Sequence, residues 1–213
     1  MGRPRREFHA GIYHLAAHGS DQRHLYLDDT DRRDFLERLS SALWPRGIDL
    51  LAYVLMGNHY HALVQLPDTG LSEALQQLHT GYSRQHNRRH QRRAHLFRAH
   101  CLARRIDTDE HLLTLYRYLA HNPVVARLTA DPLDWPWSSA PIHAGLRPAP
   151  IPIAQQPLRA ALDDHPNWQH HYRELIATTP PRSEGRSKEG EPTVPPSWTD
   201  IAGAGFEPAT SGL

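Results

Sequence analysis

Residues 12–17 (IYHLAA) read as a short strand. From residue 28 the apolar positions switch to helical spacing, with Phe35, Leu36, Leu39 and Leu43 on one side. Asp28, Asp29 and Thr30 offer N-cap oxygens before that helix, and Pro45-Arg46-Gly47 ends it. Residues 48–56 (IDLLAYVLM) are nearly continuously apolar, as in a central strand. Gly57-Asn58 signals a turn, and residues 59–66 (HYHALVQL) then alternate strictly. His59, His61, Leu63 and Gln65 share one face, and Tyr60, Ala62, Val64 and Leu66 share the other. The pair of runs predicts a β-hairpin.

After the turn Pro67-Asp68-Thr69-Gly70, the stripe Leu71, Leu75, Leu78, Tyr82 predicts a second helix reaching about Arg89, with Tyr82 in the core. Residues 101–106 predict a last strand. Asp107 and Glu110 have capping-box spacing before a helix lined by Leu112, Tyr116 and Leu119. Pro123 disfavours helical geometry at Asn122, so that helix is expected to stop there. The segment DWPWSS (134–139) predicts an ordered loop anchored by its aromatic rings.

The resulting order, β-α-β-β-α-β-α, contains a ferredoxin-like βαββαβ unit. The expected fold is α+β, a sheet with helices packed on one face and the other face left for a ligand. Residues 1–147 form the expected catalytic domain. Residues 148–178, rich in Pro, Ala and His, predict a helical extension with short helices at 155–163 and 168–177. Residues 179–213, rich in Pro, Gly and Ser, predict a disordered tail.

Composition narrows the chemistry. No apolar run among the 213 residues approaches a membrane span, and the first residues lead into no long apolar stretch, so no membrane and no secretory signal is expected. The single Cys101 excludes an internal disulfide framework and a Cys-rich zinc module, which fits a cytoplasmic location. The net charge of +1 is uninformative, but its distribution is not. No carboxylate lies between Glu73 and Asp107, a stretch that holds Arg84, Arg88, Arg89, Arg92, Arg93, Arg98, Arg104 and Arg105. Arg3, Arg5 and Arg6 add to these, and only one of the 24 basic residues is lysine. Guanidinium forks suit phosphate, so these arginines are candidates for a nucleic-acid face; the alternative is a solvated arginine-rich helix and loop.

His59 and His61 project from one strand face, the geometry of two ligands on one metal. With 17 histidines in the chain, a His-x-His pair arises by chance about once, so its weight comes from position: it opens a central strand, where an unpaired polar side chain is costly. Tyr118 and Asn122 lie four apart and project from one side of the last core helix, beside its apolar stripe. A phenol and an amide oxygen there would supply a nucleophile and a third ligand; the alternative is a rim tyrosine and a helix-ending asparagine. A metal-binding His pair, a tyrosine with an amide one turn on and a basic face together suit phosphoryl transfer through a covalent phosphotyrosine.

The chain also resembles the REP-associated tyrosine transposases, relatives of the IS200/IS605 Y1 transposases within the HUH endonucleases. The carriers are YHLAAHG (13–19), LYLDDTDRRDFLERL (25–39), LLAYVLMGNHYHALVQLP (50–67), SRQHNRRH (83–90), HLFRAH (95–100) and YLAHNPVVARLTADPLDWPWSSA (118–140). The resemblance implies a ferredoxin-like fold, dependence on Mg²⁺ or Mn²⁺ at His59, His61 and Asn122, Tyr118 as nucleophile, and cleavage of single-stranded DNA beside a hairpin. It also implies a nucleoid-associated protein whose arginines around residues 84–93 meet the hairpin backbone. A one-tyrosine enzyme of this kind would act as a monomer or homodimer. Gly57 stands where the family usually carries proline, and His100 and Leu102 stand where it tends to carry arginine and lysine. Two competing readings are a catalytically inactive hairpin-binding protein and a zinc hydrolase using the His pair.

Overall fold

The computed structural model describes residues 7–98 and 101–178. The first arginines and the tail expected to be disordered lie outside them. Four strands, β1 (Gly11–His18), β2 (Asp49–Leu55), β3 (His59–Leu66) and β4 (Leu102–Ile106), form one sheet in the order β2-β3-β1-β4. Every neighbouring pair is antiparallel. With α1 (Asp29–Leu43) after β1 and α2 (Leu71–Arg89) after β3, this is the expected ferredoxin-like βαββαβ arrangement.

Alternation along the strands separates two cores. Tyr13, Leu15 and Ala17 of β1, with Tyr60, Ala62, Val64 and Leu66 of β3, pack with Phe35, Leu36 and Leu39 of α1 and Leu71, Leu75, Leu78 and Tyr82 of α2. The opposite face is not open. Leu51, Val54 and Leu63 pack there with Leu112, Leu115, Tyr116 and Leu119 of α3 (Asp109–Val125). After the short α4 (Ala140–His143), α5 (Gln156–Ala161) and α6 (Trp168–Ala177) add Leu158, Trp168, Tyr172 and Ile176 to the same core. Helices on a single face therefore describes α1 and α2, while α3 and the C-terminal helices cover the other. The physical reason is visible in β2: its unbroken apolar run needs cover on both sides.

Three further expectations are corrected. β2 is an edge strand of the ladder, not a central one. Its outer edge is nevertheless paired, because Leu55 N–H donates to Trp137 O (2.8 Å), Ser139 N–H to Tyr53 O (2.9 Å) and Ala154 N–H to Leu50 O (2.8 Å). The DWPWSS loop thus behaves almost as a fifth strand, and Trp135 Nε1 pins it to Leu55 O at 3.1 Å. The cap of α3 is Thr108, whose side chain accepts from His111 N–H at 3.2 Å; Asp107 instead pairs with Arg105. The helix also runs past Asn122 to Val125, with Pro123 inside its last turn. Asn122 Nδ2 donates to Tyr118 O (2.9 Å), and His121 Nε2 donates to Ile176 O on α6 (2.7 Å). These tertiary and side-chain bonds hold a turn that proline alone would weaken.

Because Leu158 is fully buried against the α3 core, Leu158→Ala is expected to cost about 2–4 kcal/mol and to shift the same single unfolding transition that Leu15→Ala shifts. Denaturant melts of the two variants check this; an unchanged midpoint, or a separate transition, would show that α5 lies outside the common core.

Candidate functional site: a buried histidine cluster beneath α3

β3 sits between β2 and β1, and its second face presents His59 and His61, both buried. Their ring centroids are 5.2 Å apart. Each imidazole is held by one nitrogen. His59 Nδ1 donates to Asn58 Oδ1 at 2.8 Å, and His61 Nδ1 meets His14 Nε2 at 3.0 Å. The Nε2 atoms of both have no hydrogen-bond partner among the described residues.

α3 crosses above them. The Tyr118 ring stands edge-on to His61, with centroids 5.4 Å apart, and to His14 at 6.3 Å. Burial pushes the Tyr118 phenol up to about 12. The Asn122 carboxamide lies close enough to the hydroxyl to offset part of that burial, without a hydrogen bond of proper geometry between them. Asn122 Oδ1 is buried and likewise unpartnered among the described residues. The histidine pair and the phenol–carboxamide pair therefore share one side of the sheet. Two bare imidazole nitrogens, a carboxamide oxygen and a phenol oxygen in one dry site are costly if left unmade. As a donor set, they suit a divalent cation with open positions for substrate.

Two residues were not singled out from sequence. His14 and His18 lie on β1 opposite β3, His18 in direct register with His59, and their rings meet at 4.9 Å. The signal was present in YHLAAH, where positions four apart on a strand share a face. Burial holds His14 and His59 down at about 3 and His61 well below its ordinary range, with neighbouring imidazoles adding to the effect on His59 and His61. All are neutral near pH 7, the form that ligates metal.

The arginines divide. Arg84, Arg88, Arg92 and Arg93 are exposed at the end of α2 and just beyond it. Asn87 Nδ2 orders that exit by donating to Ala94 O (2.9 Å). The following residues run along the end of the sheet that carries His18 and His59. Ser20 N–H donates to Leu96 O (2.9 Å), and Arg98 N–H donates to His18 O (2.8 Å), leaving the Arg98 side chain exposed. Arg104 faces His14 across the β1–β4 ladder and lies on the histidine side. Arg105 pairs with Asp107 at 3.0 Å. Arg89 departs from the expected phosphate-facing set: its fork grips Asp28 (2.6 Å) and the buried Asp31, tying α2 to the start of α1.

Residues 8–122 match the family described as Transposase IS200 like, a span that holds every one of these groups and ends on Asn122. The chain belongs to the IS200-like transposase family. No curated protein matches it. Among solved structures, this IS200-like chain is similar to one described as a REP-associated tyrosine transposase bound to a REP hairpin. The two are 18% identical, with a TM-score of 0.59 over 70% of this chain and 89% of the other, so the likeness is one of fold. No described helix of the IS200-like chain is long and apolar enough to cross a membrane.

The buried imidazoles make this transposase-family fold acid-sensitive. Burial lowers His79 and His143 to about 4, alongside His14 and His59 at about 3, whereas the unfolded chain takes up protons below about 6.5. Stability is therefore present above about pH 6.5 and falls as the pH drops toward 4. Thermal melts across that window are expected to show a steady decline in Tm; a flat profile would contradict neutral burial of these rings.

Proposed function

We propose that this chain cleaves and rejoins single-stranded DNA beside a hairpin, with Tyr118 as nucleophile and a divalent cation, Mg²⁺ or Mn²⁺, held by His59, His61 and Asn122. The observation that supports this reading is that three buried ligand atoms without partners, on His59, His61 and Asn122, occur on the side of the sheet where the Tyr118 ring stands 5.4 Å from His61. When bound, the cation polarises the scissile phosphate and neutralises charge in the transition state. Asn58 and His14 hold the two imidazoles through their Nδ1 atoms, which leaves both Nε2 atoms free for the cation.

In the forward step the Tyr118 oxygen attacks phosphorus. A phosphorus–oxygen bond to tyrosine forms as the bond to the 3′ oxygen breaks. The phenol gives up its proton and the departing 3′ oxygen gains one, so the strand leaves with a free 3′ hydroxyl. Attack by a 3′ hydroxyl on the phosphotyrosine reverses the chemistry, and the stored ester makes rejoining independent of ATP. The exposed arginines at the end of α2, together with Arg98 and Arg104, hold neighbouring phosphates and stack on unpaired bases. The hairpin as substrate is supported by the bound hairpin in the similar structure's description.

A host-derived hairpin oligonucleotide with a single-stranded flank, incubated with Mn²⁺, is expected to give a denaturation-resistant protein–DNA adduct. Tyr118→Phe abolishes it, and His59→Ala with His61→Ala abolishes it while hairpin binding persists. Binding without an adduct under any divalent ion would favour the inactive hairpin-binding reading. In the same binding assay, Arg84→Gln, Arg88→Gln, Arg92→Gln and Arg93→Gln should each reduce the salt slope by about 0.7–0.9. Arg89→Gln should leave that slope nearly unchanged and instead lower the Tm, because it strips a partner from the buried Asp31.

A further inference from the structure

On the opposite side of the sheet from His59 and His61, the start of α1 meets the end of α2. Asp31 is 3% exposed and His86 1% exposed, a carboxylate and an imidazole both withdrawn from water. His86 and His90 are one helical turn apart, the spacing that sets two imidazoles on one helix face, and their ring centroids lie 4.6 Å from each other. His90 Nε2 is 3.0 Å from both Asp31 oxygens. One potential ligand atom from each of Asp31, His86 and His90 falls within 4.8 Å of the other two.

The cluster is not explained by its internal bonds. Asp31 is served by Leu27 N–H (2.8 Å), by His90 and by Arg89. His86 is served by nothing: neither of its ring nitrogens has a hydrogen-bond partner among the described residues. A buried imidazole with both nitrogens idle is an expensive arrangement unless something occupies the space it faces. The surrounding charge does not forbid a cation. Asp28 and Asp31 balance Arg89 and Arg92, the two guanidinium groups whose charge reaches the cluster, and burial keeps His86 neutral more readily than charged.

We propose that Asp31, His86 and His90 form a second cation site, separate from the histidine cluster under α3, for a borderline divalent transition ion of the Zn²⁺ class. Two imidazole nitrogens and one carboxylate oxygen are its preferred donors, and a water completes a tetrahedron. With bonds of about 2.1 Å, tetrahedral ligand atoms stand about 3.4 Å apart. The Asp31–His90 contact already has nearly that spacing, and the other pairs, within 4.8 Å, need close by at most about 1.4 Å. The ion replaces the His90–Asp31 hydrogen bond and gives His86 its missing partner. Bound there, it staples the base of the arginine-rich end of α2 to the N-terminus of α1.

The full chain carrying His59→Ala and His61→Ala, stripped with chelator, isolates this site from the other. Titrated with Co²⁺, it should bind about one equivalent with visible absorption bands of a low-coordinate ion, released by Zn²⁺, and Zn²⁺ should raise its Tm. Adding His90→Gln, at a partly exposed position after the helix end, should weaken Zn²⁺ binding at least roughly tenfold and remove the Tm shift, with circular dichroism unchanged. No Co²⁺ binding before His90 is changed, or binding that survives the change, overturns the proposal; the latter would move the ion to other histidines, such as those of α6. Zinc-edge anomalous scattering from crystals of the unmutated chain is independent of any variant's folding: a peak between His86 and His90 is expected, and its absence at saturating Zn²⁺ also overturns the site.

Discussion

The strict alternation of β3 is the constraint on which the rest of this molecule depends. Tyr60, Ala62, Val64 and Leu66 point into the core beneath α1 and α2, so His59 and His61 have no choice but the other face. A one-residue slip in register would exchange them and place two imidazoles among hydrocarbon. Because β3 is flanked on both sides, by β2 and β1, that register is pinned along nearly its whole length. The histidines are therefore presented by a rigid element, while the turn before them contributes Asn58 as the anchor of His59.

A sheet face that carries histidines still needs apolar cover, and the C-terminal half supplies it. Leu51, Val54 and Leu63 give α3 a place to dock, and α6 holds α3 from outside through His121 and Ile176. The docking angle brings Tyr118 over His61. The helices beyond residue 148 thus brace the helix that carries Tyr118 and Asn122. Within the IS200-like transposase family, to which the chain belongs, the matched span ends at Asn122, yet the support for Asn122 comes partly from residues beyond it.

Charge is organised just as unevenly. The basic segment after α2 is adjacent to the histidine end of the sheet because residues 96–98 bond to His18 and Ser20, not because the helix itself lies on the histidine face. Arg89 shows why a run of arginines cannot be read as a single surface. One side chain, itself still exposed, reaches across to Asp31 and links two helices, whereas its exposed neighbours Arg88 and Arg92 make no such bond to α1 among the described residues. Coulomb attraction to a buried carboxylate draws the arginine within reach of it out of the solvated set.

Much of this was legible before any coordinates. Local periodicity and turn residues suffice for the strand and helix order, for the shared face of His59 and His61, and for the shared side of Tyr118 and Asn122, because each depends only on spacing within one element. Positions set by contacts between elements were not legible: the edge location of β2 and its repair by residues 137–139, the passage of α3 through Pro123, the partnership of His14 with His61, and the reach of Arg89 to Asp28 and Asp31. Propensity scales treat Pro123 as a stop because they count one missing N–H and one steric clash, while the folded chain sets against these the packing of α3 on the sheet and the bond from His121 to α6. Distances along the chain are written in sequence; which faces meet is settled by how two separate cores close around one sheet.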